Sequence, residues 1–104
     1  EDCGCNGPGP GLSGCYATED EANNFAAVRR LAPSEDLLYS EFQTGDLASC
    51  SVDFDNVSFV ELFDVQADPW QMRNLAAEPS ALAKRRELHD RVHAWLRCSG
   101  LTCP

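Results

Sequence analysis

The sequence predicts an α+β fold: a small antiparallel sheet of three or four strands, one long C-terminal helix packed on it, and an irregular Gly/Pro/Cys-rich arm in front. Three observations carry this expectation. Residues 79–97 place Leu88, Val92, Trp95 and Leu96 on one stripe at helical spacing. Residues 37–42 and 57–65 alternate with period two and favour apolar, β-branched and aromatic side chains. The opening stretch carries Gly7-Pro8-Gly9-Pro10-Gly11, which excludes a helix or a central strand there.

In chain order, residues 1–21 read as an arm or linker and residues 22–104 as the folded domain. Phe25 to Leu31 fits strand or helix by pattern, its alanines favouring helix, and Ala32-Pro33-Ser34 ends it. In the next segment Leu38, Ser40 and Phe42 share one face of a strand, and Leu37, Tyr39 and Glu41 the other. Thr44-Gly45-Asp46 reads as a turn. Val57 to Val65 is the strongest strand, followed by a turn at Asp68-Pro69 and a short helical turn over Trp70–Ala76. Pro79 suits the first helical position, where its missing N–H costs little. Lys84, Arg85, Arg86 and Arg91 supply the polar faces of the helix, and Gly100 suits the left-handed residue beyond its end. Leu88, Val92, Trp95 and Leu96 are expected to meet the sheet around Val60 and Leu62.

With 104 residues the chain suits one small domain that buries roughly 60–70% of its unfolded surface. A net charge of −9 argues against nucleic acid or an anionic membrane as the main partner. The charge is uneven: residues 1–64 hold thirteen acids against Arg29 and Arg30, while residues 65–104 hold four acids and six bases. No apolar run approaches the roughly 20 residues of a membrane span. The opening Glu1-Asp2-Cys3 is not a signal peptide, so the chain reads as a mature product or a piece of something longer.

Six cysteines, Cys3, Cys5, Cys15, Cys50, Cys98 and Cys103, suggest disulfides and an oxidising compartment. Their spacings do not match the C-x2-C pairs of zinc sites. Ser99-Gly100 permits a tight turn that pairs Cys98 with Cys103, which leaves Cys50 to find a partner among Cys3, Cys5 and Cys15. Asn56-Val57-Ser58 is an N-glycosylation sequon and fits a secretory route.

Motifs for chemistry are weak. His89 and His93 lie one helical turn apart, but Asp90 stands where the H-E-x-x-H metal motif needs glutamate, and the sequence shows no third ligand. Asp53-Phe54-Asp55-Asn56 begins like a calcium loop, then offers Val57, Ser58 and Asp64 where such a loop needs an oxygen ligand, glycine and glutamate. The residues alone thus describe a disulfide-bearing secreted domain with no visible active site.

The run from Phe59 to Ala76, Phe-Val-Glu-Leu-Phe-Asp-Val-Gln-Ala-Asp-Pro-Trp-Gln-Met-Arg-Asn-Leu-Ala, resembles the C-terminal signature of sulfatases. Phe63 stands where tyrosine is common. Upstream, Asn23 to Arg29 and then Leu37 to Phe42 resemble the two strands that precede this corner, which turns Phe25–Leu31 into an expected strand. Downstream, Cys98-Ser99-Gly100-Leu101-Thr102-Cys103 resembles the ending of the branch that includes glucosamine-6-sulfatases, extracellular heparan endosulfatases and algal arylsulfatases. Asp64 and Asp68-Pro69 would shape the corner, and Asn74 would cap or bond the local backbone.

The resemblance implies a sulfatase whose large catalytic domain, with its calcium ion and formylglycine, is separate from this C-terminal subdomain. No cysteine here is followed by x-Pro-x-Arg, so no catalytic residue, metal ligand or cofactor is carried over. The expected partner is the catalytic domain or chain, with a sulfated polysaccharide reached through it, and the expected place is extracellular, secreted or lysosomal. Arg29, Arg30 and Arg73 are candidates for the wall of the substrate cleft. The alternative is a stand-alone extracellular binding or structural module derived from such a domain. Exposed aromatics among Phe54, Phe59, Phe63 and Trp70 would favour the docking domain over the free-standing one. A disulfide-rich inhibitor scaffold is disfavoured by the size of the apolar core.

Overall fold

The computed structural model describes residues 24–43 and 52–104. Strands β1 (Asn24–Ala32), β2 (Glu35–Gln43) and β3 (Phe59–Asp64) form one sheet in the order β1-β2-β3. A 3-10 turn, Pro79–Ala81, leads into the helix α1 (Leu82–Arg97), and a second 3-10 turn spans Gly100–Thr102. The expected α+β architecture is present, with three strands among the described residues.

Two residues, Pro33 and Ser34, separate β1 from β2 and force them antiparallel. Proline fixes its own φ and favours extended backbone before it, so Ala32 closes the strand. β2 and β3 are also antiparallel: Val65 N–H donates to Asp36 C=O at 2.8 Å, and Ser58 N–H to Phe42 C=O at 2.9 Å. The chain divides into two compact units, whose described parts are residues 24–25, 41–43 and 52–59, and residues 26–40 and 60–104.

The larger unit holds the apolar core. Leu37 and Tyr39 of β2, Leu62 of β3, Ala76, and Leu88 and Val92 of α1 are buried together, flanked by Ala26, Val28, Val60, Leu75 and Ala81. The alternation expected for β2 holds, since Leu37 and Tyr39 share the core face. Leu88 and Val92 meet it as the helical stripe requires. Trp95 and Leu96 do not: they stay 50% and 47% exposed. The stripe is narrower than its apolar residues suggest because the core offers only two turns of contact, and the last turn of α1 passes beyond it.

Three expected boundaries shift. The strongest strand begins at Phe59 rather than Val57. Pro79 opens the 3-10 turn and not α1 itself, which starts at Leu82. The segment Trp70–Ala76 is not a helical turn. It is an irregular corner in which Gln71 adopts φ 54°, a left-handed conformation that side chains other than glycine rarely take.

Asn74 governs that corner. Its Oδ1 accepts the Leu62 and Ala76 N–H groups at 2.9 and 3.0 Å, and its Nδ2 donates to Val60 C=O at 3.0 Å. Leu75 N–H adds a bond to Leu62 C=O at 2.7 Å. The carboxamide acts as a peptide group and satisfies the outer edge of β3, which would otherwise invite pairing. Asp64 Oδ1 accepts Ala67 N–H at 3.0 Å, and Asp68 Oδ2 accepts Arg73 N–H at 2.9 Å, so both aspartates brace the turn as their positions suggest.

The smaller unit carries an aromatic ladder. Phe25, Phe42 and Phe59 stand in line, with ring centroids 5.8 Å apart at each step. Phe25 and Phe59 remain 57% and 53% exposed. Asp53 begins a tight turn in which its Oδ1 accepts Asp55 N–H at 2.9 Å and its C=O accepts Asn56 N–H at 3.0 Å.

Two substitutions test this packing by chemical denaturation. Leu88→Ala removes a buried side chain from the centre of the core and lowers stability by about 2–5 kcal/mol. Asn74→Ala orphans the β3 edge and costs about 1–3 kcal/mol, whereas Asn74→Asp keeps the two accepted bonds and costs less.

Candidate functional site

The described cavity with the most chemistry in its walls is a groove between β1 and α1, all within the larger unit. It encloses about 750 Å³, a ligand-sized volume. One wall is Ala26 to Leu31 of β1; the other is Glu87, Leu88, Arg91, Val92, Trp95 and Leu96 of α1. The helix places Glu87, Arg91 and Trp95 at i, i+4 and i+8, so their side chains follow one line along its margin.

An ion-pair cluster ties that margin to the sheet. Arg30 Nη1 donates to Glu87 Oε1 in a close contact. Arg30 Nε also lies 2.8 Å from Glu35 Oε1, a charge contact that lacks hydrogen-bond alignment and leaves that buried oxygen without a hydrogen bond. Lys84 Nζ reaches Glu87 Oε2 at 3.1 Å and Glu35 Oε2 at 3.2 Å. Hydrogen bonds from Lys84 and then Arg30 hold the Glu87 carboxyl below its usual range, and Glu87 and then Glu35 raise the Lys84 ammonium. Arg29 binds Asp36 with two parallel hydrogen bonds, 2.9 and 2.8 Å, which lower the Asp36 carboxyl and raise the guanidinium. Arg73 pairs with Glu78 at 2.9 Å and is raised by it.

The three arginines singled out from the sequence therefore sit apart in two places. Arg29 and Arg30 line the groove and are each ion-paired, while Arg73 lies in the corner with Glu78. Arg91 and Trp95 complete the groove; neither was singled out as a site residue, because only the tertiary structure sets β1 beside their helix margin. Among the described residues, Arg91 has no hydrogen-bond or ion-pair partner. His89 and His93 lie on α1 with ring centroids 4.1 Å apart.

The Cys98–Cys103 disulfide is formed, with Cα atoms 4.8 Å apart. It encloses Gly100, whose φ is 54° as expected for a residue beyond a helix end, and Ser99 and Thr102 bond across the same turn. Cys3, Cys5, Cys15 and Cys50, and the arm over residues 1–21, lie outside the described residues. Asn56 is exposed, and the sequon hydroxyl of Ser58 donates to Phe42 C=O at 3.0 Å.

Curated relatives decide what this arrangement belongs to. Over 105 aligned residues the chain is 33% identical to N-acetylglucosamine-6-sulfatases of Bos taurus, Capra hircus and Homo sapiens. The chain matches the C-terminal subdomain of sulfatases. The alignment covers 95% of the chain but 16% of each relative, so it spans only the C-terminal region of those proteins. No family model and no solved structure matches the chain. Because the sulfatase match is confined to that region, the chain lacks the catalytic domain and no cofactor is expected on it. None of its cysteines precedes x-Pro-x-Arg, so its residues do not fit a formylglycine site. Among the described residues, no helix is long and apolar enough to cross a membrane.

The ion pairs predict a pH dependence. Asp36 and Glu87 have lowered folded-state values, so their contribution is present above the unfolded carboxylate range of about 4 and is lost as pH falls through the folded value. Asp36→Asn and Glu87→Gln should each lower the melting temperature near neutral pH, and the deficit should shrink to nothing below about pH 3. Both effects are small because these pairs are solvent-screened.

Proposed function

We propose that this chain is the non-catalytic C-terminal subdomain, or processed C-terminal chain, of a sulfatase that hydrolyses sulfate esters of sugars, where it completes the core and walls one side of the substrate cleft. The observation that carries this reading is the aromatic ladder Phe25-Phe42-Phe59, whose outer rings are more than half exposed. A free-standing domain seldom leaves such a surface in water, whereas a subdomain buries it against its partner. Trp70 and Met72, at 85% and 84% exposure in the Gln71 corner, point the same way. Phe63 does not contribute, being 8% exposed.

The catalytic domain is thus the partner, and it would hold the calcium ion and the formylglycine. The sugar class follows from the names of the relatives. Any direct contact of Arg29, Arg30 or Arg73 with a substrate sulfate would have to compete with the carboxylate each already binds. An extracellular or lysosomal location, glycosylation at the exposed Asn56 and an arm over residues 1–21 ahead of a domain at 22–104 belong to the same reading.

The test uses the full-length protein that contains this region. It should release sulfate from 6-sulfated N-acetylglucosamine. Phe25→Asp with Phe59→Asp should loosen the domain junction, seen as faster limited proteolysis and loss of that activity. Absence of any catalytic partner sequence from the purified protein, together with unchanged proteolysis of the double variant, would support the free-standing module instead.

A further inference from the structure

The groove between β1 and α1 combines a cation without a partner, a flat apolar surface and an open strand edge. Arg91 carries the cation and has no hydrogen-bond or ion-pair partner among the described residues. Trp95, one helical turn further along the same margin, keeps half of its surface exposed. β1 is the edge of the sheet, so alternate backbone N–H and C=O groups along the groove face outward without a strand partner.

We propose that this groove binds a sulfated sugar segment, with Trp95 stacking on the apolar face of a sugar ring and Arg91 taking its sulfate. The proposal rests on the sulfatase reading above and names a place on this chain where the sugar is held. A pyranose has C–H faces that pack on an aromatic plane and a rim of hydroxyls that need hydrogen bonds. The edge of β1 offers donors and acceptors for that rim. The guanidinium offers several donors to the oxygens of one sulfate, the planar recognition that favours arginine over lysine.

Charge is complementary here despite the net −9 of the chain. Arg29, Arg30 and Arg91 line the groove against a single carboxylate, Glu87. Glu87 is held by Lys84 and Arg30, so it does not neutralise Arg91. A protein strand added to the edge of β1 is the competing occupant. It would cover Trp95 but would leave the Arg91 cation to be matched by an acid of its own.

The experiment is isothermal titration of the full-length protein with a hexasaccharide of 6-sulfated N-acetylglucosamine and with its desulfated counterpart. Arg91→Ala should weaken binding of the sulfated probe by at least about tenfold and leave the desulfated probe unchanged. Trp95→Ala should weaken both, and Trp95→Phe should restore most of the loss. Arg86→Ala is the control: Arg86 is also exposed and unpartnered among the described residues, but lies outside the groove, and its loss should change nothing. The proposal is overturned if the unaltered protein does not bind the probe, if Arg86→Ala weakens it as much as Arg91→Ala, or if Trp95→Ala accelerates proteolysis between domains without changing affinity. The last result would place a protein strand in the groove. Sulfate release by the unaltered protein is measured separately, so a failed sulfatase reading is told apart from a failed groove.

Discussion

The carboxamide of Asn74 is the interaction on which the rest of the larger unit depends. A three-stranded sheet leaves two edges, and β3 is one of them. Asn74 takes the Leu62 N–H and gives its own N–H to Val60 C=O, so a side chain finishes the ladder that a fourth strand would have continued. The same residue holds Ala76 N–H, and Arg85 Nη1 donates to Ala76 C=O at 2.9 Å from the first turns of α1. The chain therefore leaves β3, turns once, and enters the helix already fastened to the strand it must cover. Leu88 and Val92 then fall on Leu37, Tyr39 and Leu62 without a long search for register.

Electrostatics acts at the opposite margin. Glu35, Glu87, Arg30 and Lys84 form a four-membered cluster that joins β1, β2 and α1. Each pair is partly exposed and weak alone. Their value is geometric: they fix where the helix margin lies relative to the edge strand. That leaves Arg91 and Trp95 beside β1 with neither a carboxylate nor a core to occupy them.

The two-layer design has an open consequence. One helix covers part of one sheet face, and the phenylalanines at 25 and 59 are left in water. The relatives are far longer than this chain, which covers 16% of each. A domain that is a fraction of a protein need not satisfy its own surface, and the aromatic ladder, the Trp70 corner and the β1 groove are the three surfaces where that is visible.

Period and local chemistry were enough to read much of the fold. The alternation of Leu37 and Tyr39, the stripe of Leu88 and Val92, the left-handed Gly100 and the Cys98–Cys103 turn follow from short-range rules that neighbours in sequence enforce. The run through Asp64, Asp68 and Asn74 carried the relationship to sulfatases because those side chains bond nearby backbone, which ties each to its position. Long-range choices lay outside such rules. Trp95 and Leu96 continue the apolar stripe, yet whether they are covered depends on how far the sheet extends beneath them. Arg29, Arg30 and Arg73 look alike as free cations until the fold brings Asp36, Glu35 and Glu78 to them. Arg91 drew no notice as one base among six in its half of the chain, and only the packing of α1 beside β1 made it the cation left unpaired in a groove. Sequence determines which groups can bond; burial and distance, which exist only in the folded chain, decide which of them do.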